Sequence, residues 1–211
     1  VDWGERGPVM QRAAPYDRNE ALKAAQDLFW RKGYHATSLK DLEAALNMKP
    51  GSIYAAFKSK HALYLTCLER YFDETVAALD ARLEASPTVL DALADFVRAF
   101  GREHLASETP VRVCMLVKTA LEATEDEPEL RDRAQAYLLK MRAAFETCFR
   151  QAQQTGEVSG DHDPAQLAVN LQADITAIRI EAQQTGGSIT TAWLANRKAQ
   201  DVLALRDSPA H

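Results

Sequence analysis

The stretch Thr37-Ser-Leu-Lys-Asp-Leu-Glu-Ala-Ala-Leu-Asn-Met-Lys-Pro-Gly-Ser-Ile-Tyr-Ala-Ala-Phe-Lys-Ser-Lys60 decides the fold of this chain. It contains two short helical patterns that are separated by a tight joint. The first pattern has apolar residues at i, i+3, i+6 and i+7, which we interpret as one face of a helix: Leu39, Leu42, Ala45 and Leu46. Ser38 and Asp41 have the spacing of a capping box, so this helix is predicted to begin at Ser38.

The joint and the second helix follow directly. Asn47 tolerates the left-handed backbone that ends a helix, and Pro50 suits the first position of a new helix because its missing N–H costs nothing there. The second helix has an apolar face, formed by Ile53, Ala56 and Phe57. Its other face, with the residues just after it, is polar and basic: Lys49, Gly51, Ser52, Tyr54, Lys58 and Lys60. This arrangement is typical of a helix-turn-helix DNA reader.

The same residues resemble the TetR family of bacterial transcriptional regulators. The resemblance covers residues 16–71, about a quarter of the chain. It combines a turn at Gly33, a capped helix, a recognition helix with Gly51-Ser-Ile-Tyr54 and an exit with Phe57-Lys-Ser-Lys60, in that order. It implies an all-α fold of about nine helices, with an N-terminal three-helix helix-turn-helix DNA-binding domain and a C-terminal helical ligand-binding and dimerisation domain.

The expected division of the chain has three parts. Residues 1–15 form a flexible N-terminal arm, which either reaches a DNA groove or is a tail without a role. Residues 16–60 form the DNA-binding domain. Residues 61–211 form the helical ligand-binding and dimerisation domain, in which the resemblance is limited to length and helical content.

The charge is distributed unevenly between these parts. Residues 1–60 hold ten Lys or Arg and seven Asp or Glu, a net charge of +3, whereas residues 61–211 hold fifteen and twenty-three, a net of −8. A basic N-terminal quarter on an acidic body supports a local DNA contact surface, because only the docking face has to attract phosphates. Chance unevenness is the alternative interpretation.

The sequence favours a cytoplasmic protein that does not enter a membrane. No run approaches eighteen apolar residues, and the first residues lack the apolar core of a signal peptide. Cys67, Cys114 and Cys148 are odd in number and far apart, which favours reduced thiols over disulfides or a CxxC metal site. We expect neither a metal nor a cofactor.

Beyond residue 60 the apolar periodicity and the helix-breaking residues predict further helices. Ser86 and Pro87 are interpreted as the cap and first position of one helix, and Pro110 as the start of a short apolar helix. Asp163 and Pro164 begin another helix in the same way. The predicted helical segments are residues 61–85, 87–106, 110–123, 128–155, 164–185 and 189–205.

The predicted DNA contacts divide into two groups. The backbone near Ser38 and the side chains of Tyr54, Lys58 and Lys60 suit phosphates. Base edges or nearby phosphates are within reach of Lys40, Lys49 and Ser52, and Gly51 allows close approach of the helix. The resemblance implies DNA contacts at Lys40, Pro50, Gly51, Ser52, Tyr54 and Lys60. Tyr54 could instead only pack, and Lys58 could be a solvated charge.

A dimer is expected to bind double-stranded DNA. By resemblance, the helices at 163–205 pair as a four-helix bundle in a homodimer; a hairpin packed inside one monomer is the alternative. Two reading heads about 34–36 Å apart would contact successive major grooves of a near-palindromic operator. An effector that changes this spacing would release the protein only by preferring the state that misfits DNA.

A pocket for an unknown small-molecule effector is expected among the three middle helices. Its candidate residues are Phe96, Phe100, His104, Cys114, Met115, Lys118, Tyr137, Met141 and Phe145. Such a stripe is also consistent with ordinary core. Cys114 and Lys118 share a helix face at i and i+4, and an ammonium beside a thiol favours the reactive thiolate. A thiol-based redox or electrophile sensor at Cys114 is therefore an alternative, and a buried structural cysteine is another.

Two other classes of function have little support. The chain contains no GxSxG, HExxH, Walker or GxGxxG motif, and its histidines do not form a spaced pair, so an enzyme is not expected. A helical interaction module that does not bind DNA would leave the basic face from Lys49 to Lys60 unexplained. The sequence therefore predicts a DNA-binding transcriptional regulator, a repressor if it follows the usual habit of the family.

Overall fold

The computed structural model describes residues 17–102 and 112–206, which form nine α-helices and a final 3-10 turn, without a strand. The predicted all-α fold is therefore confirmed for the described residues. In chain order the elements are α1 Arg18–Lys32, α2 Leu39–Leu46, α3 Pro50–Phe57, α4 Lys60–Ala85, α5 Val89–Arg102, α6 Met115–Glu122, α7 Pro128–Gln154, α8 Pro164–Thr185, α9 Ile189–Leu203 and the 3-10 turn Ala204–Arg206. The predicted arm, residues 1–15, lies outside the described part.

Short-range signals fix both ends of α2 and the start of α3, as predicted. Ser38 and Asp41 form the capping box of α2: the Ser38 hydroxyl oxygen accepts from the Asp41 backbone N–H at 3.1 Å, and an Asp41 carboxylate oxygen accepts from the Ser38 N–H at 2.8 Å. Asn47 ends α2 with a left-handed φ of 51°. Pro50 is the first residue of α3. The helix-turn-helix joint is thus determined by its own residues.

Helices α1, α2 and α3 pack around one apolar core. Phe29, Leu42, Ile53 and Phe57 are its buried centre. The prediction for Ala45 is wrong, because this residue is exposed: it lies six residues after Leu39, which is about 240° around a helix and therefore off the buried face.

Helix α4 belongs to both halves of the molecule. Its 26 residues span about 39 Å. Leu63, Tyr64 and Leu68 pack in the core of the first three helices, whereas Leu79 packs with α5, α7, α8 and α9. We call the first three helices the head and the part from α5 onward the body. Because α4 packs in both cores, a shift of the body along or across α4 would move the head.

Two predicted helix starts in the body are wrong. Ser86 follows the end of α4, and α5 begins at Val89, so Ser86 and Pro87 are not its cap and first residue. The local cap is Thr88, and the carboxylate of Glu157 accepts from the backbone N–H groups of Val89 and Leu90 at 3.1 and 3.0 Å. This cap comes from a distant part of the chain.

The second wrong start concerns α6. Residues 112–114 are not helical and α6 begins at Met115, whereas the sequence favoured a helix from Pro110. Ser188 occupies the expected position before α9, but its hydroxyl makes no capping hydrogen bond and is buried without a partner in the described residues. The start at Asp163 is confirmed, because its carboxylate accepts from Ala165 at 2.9 Å.

Helices α5 and α9 pack closely at Gly101. A Cβ atom at this position would lie 2.7 Å from the Cβ of Ala195 and 3.1 Å from the Cα of Ala192. These distances leave no room for a side chain. Within the described ranges, none of the helices is both long and apolar enough to cross a membrane.

Candidate nucleic-acid interface and effector cavity

The outward face of α3 carries most of the predicted DNA contacts. Lys49, Pro50, Gly51 and Ser52 are exposed, and the Tyr54 side chain is 48% exposed. A Cβ atom at Gly51 would have no neighbour within 4 Å, so this side of the helix is open. The face can therefore approach a DNA groove without rearrangement of the core.

The start of α2 extends this face. Ser38 and Lys40 are exposed, and Asp41 is fixed between the Ser38 cap and an ion pair with Lys32 at 2.8 Å. The Lys32 ammonium and the hydrogen bonds from Ser38 hold the pKa of the Asp41 carboxyl well below its usual range. The carboxylate consequently stays ionised and keeps the α2 start in place.

The two lysines that follow α3 differ in their surroundings. Lys58 is exposed and has a φ of 67°, and the hydrogen bond of 2.8 Å from the Ser59 N–H to the Phe57 oxygen closes a tight turn around it. Lys60 is partly buried, with its ammonium 4.4 Å from the centre of the Tyr34 ring. Burial lowers the pKa of Lys60, although Glu127 and Asp41 oppose the shift. Lys60 is thus held more firmly than a free surface lysine.

A cavity of about 50 Å³ lies in the body, and we call it the effector cavity. Its walls come from five helices, α4, α5, α6, α7 and α8. The sequence had predicted walls from only the three middle helices. Five predicted residues line it: Phe96, Phe100, Cys114, Met141 and Phe145. The cavity is mainly apolar, with a few polar groups.

Of the other four candidates, the three that the structure describes do not line the cavity. Met115 is buried in the core of the head, and Tyr137 stacks on Phe72 with ring centres 4.8 Å apart. The Lys118 ammonium donates to the carbonyl oxygen of Trp30 on α1 at 3.2 Å. Its spacing to Cys114 had instead suggested an ammonium that faces the thiol. His104 lies outside the described residues.

The polar groups of the cavity were missed by the sequence analysis. Arg179 donates to the Tyr71 hydroxyl at 2.7 Å, and both residues line the cavity. Burial raises the pKa of the Tyr71 hydroxyl, although Arg179 opposes the shift. Gln172, Thr176 and Arg179 recur at i, i+4 and i+7 of α8, a polar stripe that could have been found.

The three cysteines are in unlike environments. Burial raises the pKa of Cys67 to about 12 and that of Cys148 to about 11. Cys114 is partly exposed, precedes α6 and lines the cavity. It is therefore the thiol that a cavity ligand would meet.

Helix α6 and the loop before it connect the cavity to the head. The indole N–H of Trp30, on α1, donates to the Val113 oxygen at 2.6 Å. At the other end of α6, a Cβ atom at Gly33 would lie 2.8 Å from a carboxylate oxygen of Glu122. Since Leu116 and Val117 line the cavity, one short helix forms a cavity wall and also contacts α1.

These features define the class of the protein: a helix-turn-helix DNA-binding protein whose reading head is joined to a helical body with a cavity. Residues 21–67 match the family described as bacterial regulatory proteins, tetR family, and residues 90–195 match the tetracyclin repressor-like C-terminal domain. The chain belongs to the TetR family of transcriptional regulators, as the resemblance implied.

Similar proteins agree with this assignment. The transcriptional repressor ComR of Escherichia coli K12 is 30% identical over 174 residues, 82% of each chain. The transcriptional regulator AcuR of Cereibacter sphaeroides is 28% identical over 148 residues, 70% of this chain and 67% of AcuR. A cysteine mutant of the TetR-family regulator CifR, solved with a 26-bp operator DNA, superposes with a TM-score of 0.79 at 26% identity, covering 91% of this chain and 98% of that one.

Proposed function

We propose that this transcriptional regulator is a repressor that binds a near-palindromic operator as a homodimer and is released by a small-molecule effector. The observation that carries the proposal is the open, polar and basic face of α3, whose core-side residues are fully packed. The similarity to ComR, a transcriptional repressor, and to CifR, which was solved with operator DNA, supports the same role.

We assign tasks to the residues of the docking face, which comprises the start of α2, the outward side of α3 and the two lysines after it. Ser38, Lys58 and Lys60 bind phosphates and set the register, and Tyr54 contacts the backbone beside the groove. Lys40, Lys49 and Ser52 reach base edges or adjacent phosphates. Pro50 and Gly51 let the start of α3 enter the major groove closely.

The dimer forms through α8 and α9. Exposed residues recur along α8 with alternating steps of three and four, and after Asn170 they are small or apolar: Ala173, Ala177 and Ile180. On α9, Ile189 and Trp193 are 83% and 63% exposed. An apolar stripe on two adjacent antiparallel helices fits a four-helix bundle between two copies.

Dimerisation can be tested without DNA. Replacing Ala177 with Glu places a charge in the centre of this stripe and should convert the protein to a monomer in light scattering. The double variant Ile189→Glu and Trp193→Glu tests the α9 side. If both variants remain dimers, the interface lies elsewhere.

The effector acts through α6 and α4. A ligand in the effector cavity displaces Leu116 and Val117, and α6 passes the shift to Trp30 and Gly33 of the head. Because α4 is shared by both cores, the same ligand changes the separation of the two reading heads. The ligand weakens DNA binding by as much as it prefers the misfitting state.

The decisive experiment is fluorescence anisotropy of the purified protein on DNA from its own promoter region, with a scrambled duplex as the control. Tight binding that scrambling abolishes is the expected result. Equal and weak binding to both duplexes, lost as salt rises, would reduce the activity to nonspecific phosphate attraction. The same titration then screens compounds for release.

A thiol-sensing repressor is the second candidate, and the position of Cys114 in the cavity wall favours it. Iodoacetamide provides a test, because the thiolate displaces iodide and places a bulky group in the cavity. Mass spectrometry should find alkylation at Cys114 and not at the buried Cys67 and Cys148, and the operator should be released. Cys114→Ser should abolish the effect. Operator affinity that survives complete alkylation would exclude this sensor.

A further inference from the structure

One residue of α3 points directly away from the core of the head, and it is an alanine. Ile53 and Phe57 are the buried residues of this helix. Since successive residues turn by about 100°, the direction opposite to this pair falls on Ala55, and Gly51 lies only about 40° from it. Both Gly51 and Ala55 are exposed. We call these two residues the crown of α3.

The crown offers no polar side chain to DNA. Glycine has no side chain, alanine has a single methyl group, and a Cβ atom at Gly51 would meet no atom of the described chain within 4 Å. The polar side chains of α3 lie to either side of the outward direction, Ser52 at about 60° and Tyr54 at about 100°. The part of α3 that enters a major groove deepest therefore brings one methyl group to the base edges.

The end of α3 that carries Ala55 is held in place by α1. The Arg18 guanidinium donates to the Ala56 carbonyl oxygen at 3.1 Å and lies 5.0 Å from the centre of the Phe57 ring. This oxygen belongs to the last turn of α3, whose carbonyl groups lack partners within the helix, and a cation suits that end of the helix dipole. Fixed placement matters for a methyl contact, because dispersion attraction falls steeply as a gap opens.

The major groove contains one apolar group that suits an alanine methyl. The edge groups that distinguish the base pairs there are hydrogen-bond donors and acceptors, apart from the C5-methyl group of thymine. Pressed against a donor or an acceptor, the alanine methyl would take that group out of water without giving it a partner, which costs free energy. Against the thymine methyl, the same approach buries apolar surface on both sides.

We propose that Ala55 specifies a thymine in each half of the operator, through contact between the alanine methyl group and the thymine C5-methyl group. Lys49 and Ser52 supply hydrogen bonds at the sides of the crown, so Ala55 adds a position at which only the methyl is recognised. This inference rests on the proposed function, because it requires α3 to lie in a major groove.

Deoxyuridine tests the contact, since it pairs as thymidine does and lacks only the methyl group. The operator is the promoter duplex that the protein binds or, failing that, a sequence selected from a randomised duplex pool. Each symmetric pair of thymidines is replaced in turn, and anisotropy measures the affinity. One replacement should weaken binding by about tenfold to twentyfold, because each half-site loses a buried methyl group worth about fourfold. A scan without any loss overturns the proposal.

A double-mutant cycle assigns the lost contact to Ala55. Ala55→Gly removes the protein methyl group, so the same deoxyuridine replacement should then cost less than about twofold. Ala45→Gly is the matched control, because Ala45 is an exposed alanine of α2 and its loss carries the same helix-propensity cost; this variant should keep the full deoxyuridine effect. Thermal unfolding confirms that both variants are folded. An equal effect in Ala55→Gly and the unmodified protein would mean that another group recognises the methyl, which overturns the proposal.

A methyl group on another base provides the converse test. Changing the identified T·A pairs to C·G should weaken binding, and 5-methyldeoxycytidine should recover about fourfold per half-site because it restores a methyl group at C5. An absence of recovery would count against the contact. A protein without sequence preference in the randomised pool would refute the proposed function and the contact together, whereas tight operator binding without any dependence on the methyl group would refute only the role of Ala55.

Discussion

The docking face and the effector cavity are built in opposite ways. The face depends on interactions between residues within a few positions of each other, such as the capping box of Ser38 and Asp41 and the left-handed Asn47. The cavity depends on five helices, and its Tyr71–Arg179 hydrogen bond joins residues 108 positions apart. The head is consequently a firm reading surface, whereas the cavity changes whenever one of its helices moves.

The strongest contrast is between two glycines. Gly101 faces Ala195 in the body at a distance that excludes a side chain, whereas Gly51 in the head faces open space. Gly101→Val should lower the free energy of unfolding by about 3 kcal/mol through overpacking, and Gly51→Val should change it by less than about 1 kcal/mol. Urea unfolding at one protein concentration measures both. Equal losses in the two variants would show that α5 and α9 can separate without cost.

A side chain of the docking face gives the next largest expected effect, which is on operator binding. Tyr54→Ala should weaken operator binding by at least about tenfold, in the range of a lost interface anchor, while the melting temperature stays unchanged because the ring is half exposed. Leu139→Ala, on the exposed side of α7, is the control and should leave both quantities unchanged. Anisotropy and thermal unfolding measure the pair. Unchanged affinity in Tyr54→Ala would remove this residue from the docking face.

The same contrast explains what the sequence could predict. Ser38, Asn47 and Pro50 act on backbone groups within about four residues, so their roles followed from spacing alone. The end of α5 that Glu157 caps could not be found in this way, because the carboxylate comes from 67 and 68 positions away.

The apolar periodicity likewise could not predict which core each side chain of the body enters. Tyr137 and Met141 lie on the same stripe of α7, yet Tyr137 packs in the core of the head and Met141 lines the cavity. The reason is that α7 contacts both halves along its length, and no local pattern records where one core ends. The polar stripe of α8 that contains Arg179 is visible in the sequence, but its hydrogen-bond partner Tyr71 lies on α4 and is not part of that pattern.

Two capping carboxylates, one in the head and one in the body, make the stability of each half depend on pH. Hydrogen bonds lower the pKa of Asp41 in the head, and those from Leu90 and Val89 lower the pKa of Glu157 in the body although burial opposes them. The folded state therefore binds fewer protons than the unfolded one, so both contributions are present above about pH 4 and decline as the pH falls further. Asp41→Asn and Glu157→Gln should each flatten the loss of stability between pH 5 and 3, measured by urea midpoints. A slope as steep as in the unmodified protein would exclude the mutated cap as its source.

The smallest effect concerns the strain after α3. Lys58 holds a positive φ that costs a residue with a side chain about 1 kcal/mol and glycine almost nothing. Lys58→Gly should therefore raise the free energy of unfolding by up to about 1 kcal/mol, and it should reduce the slope of log affinity against log salt by about one if Lys58 binds a phosphate.

Lys49 supplies the matched comparison for this last effect, because it has an ordinary φ of −73° at the other end of the same helix. Lys49→Gly removes the same charge without relieving strain, so it should not stabilise the head. If both variants change stability alike, the turn at Lys58 stores no strain, and the exit from α3 is as relaxed as its entrance. If only Lys58→Gly stabilises the head while DNA binding weakens, the strained turn serves to position the lysine for the phosphate.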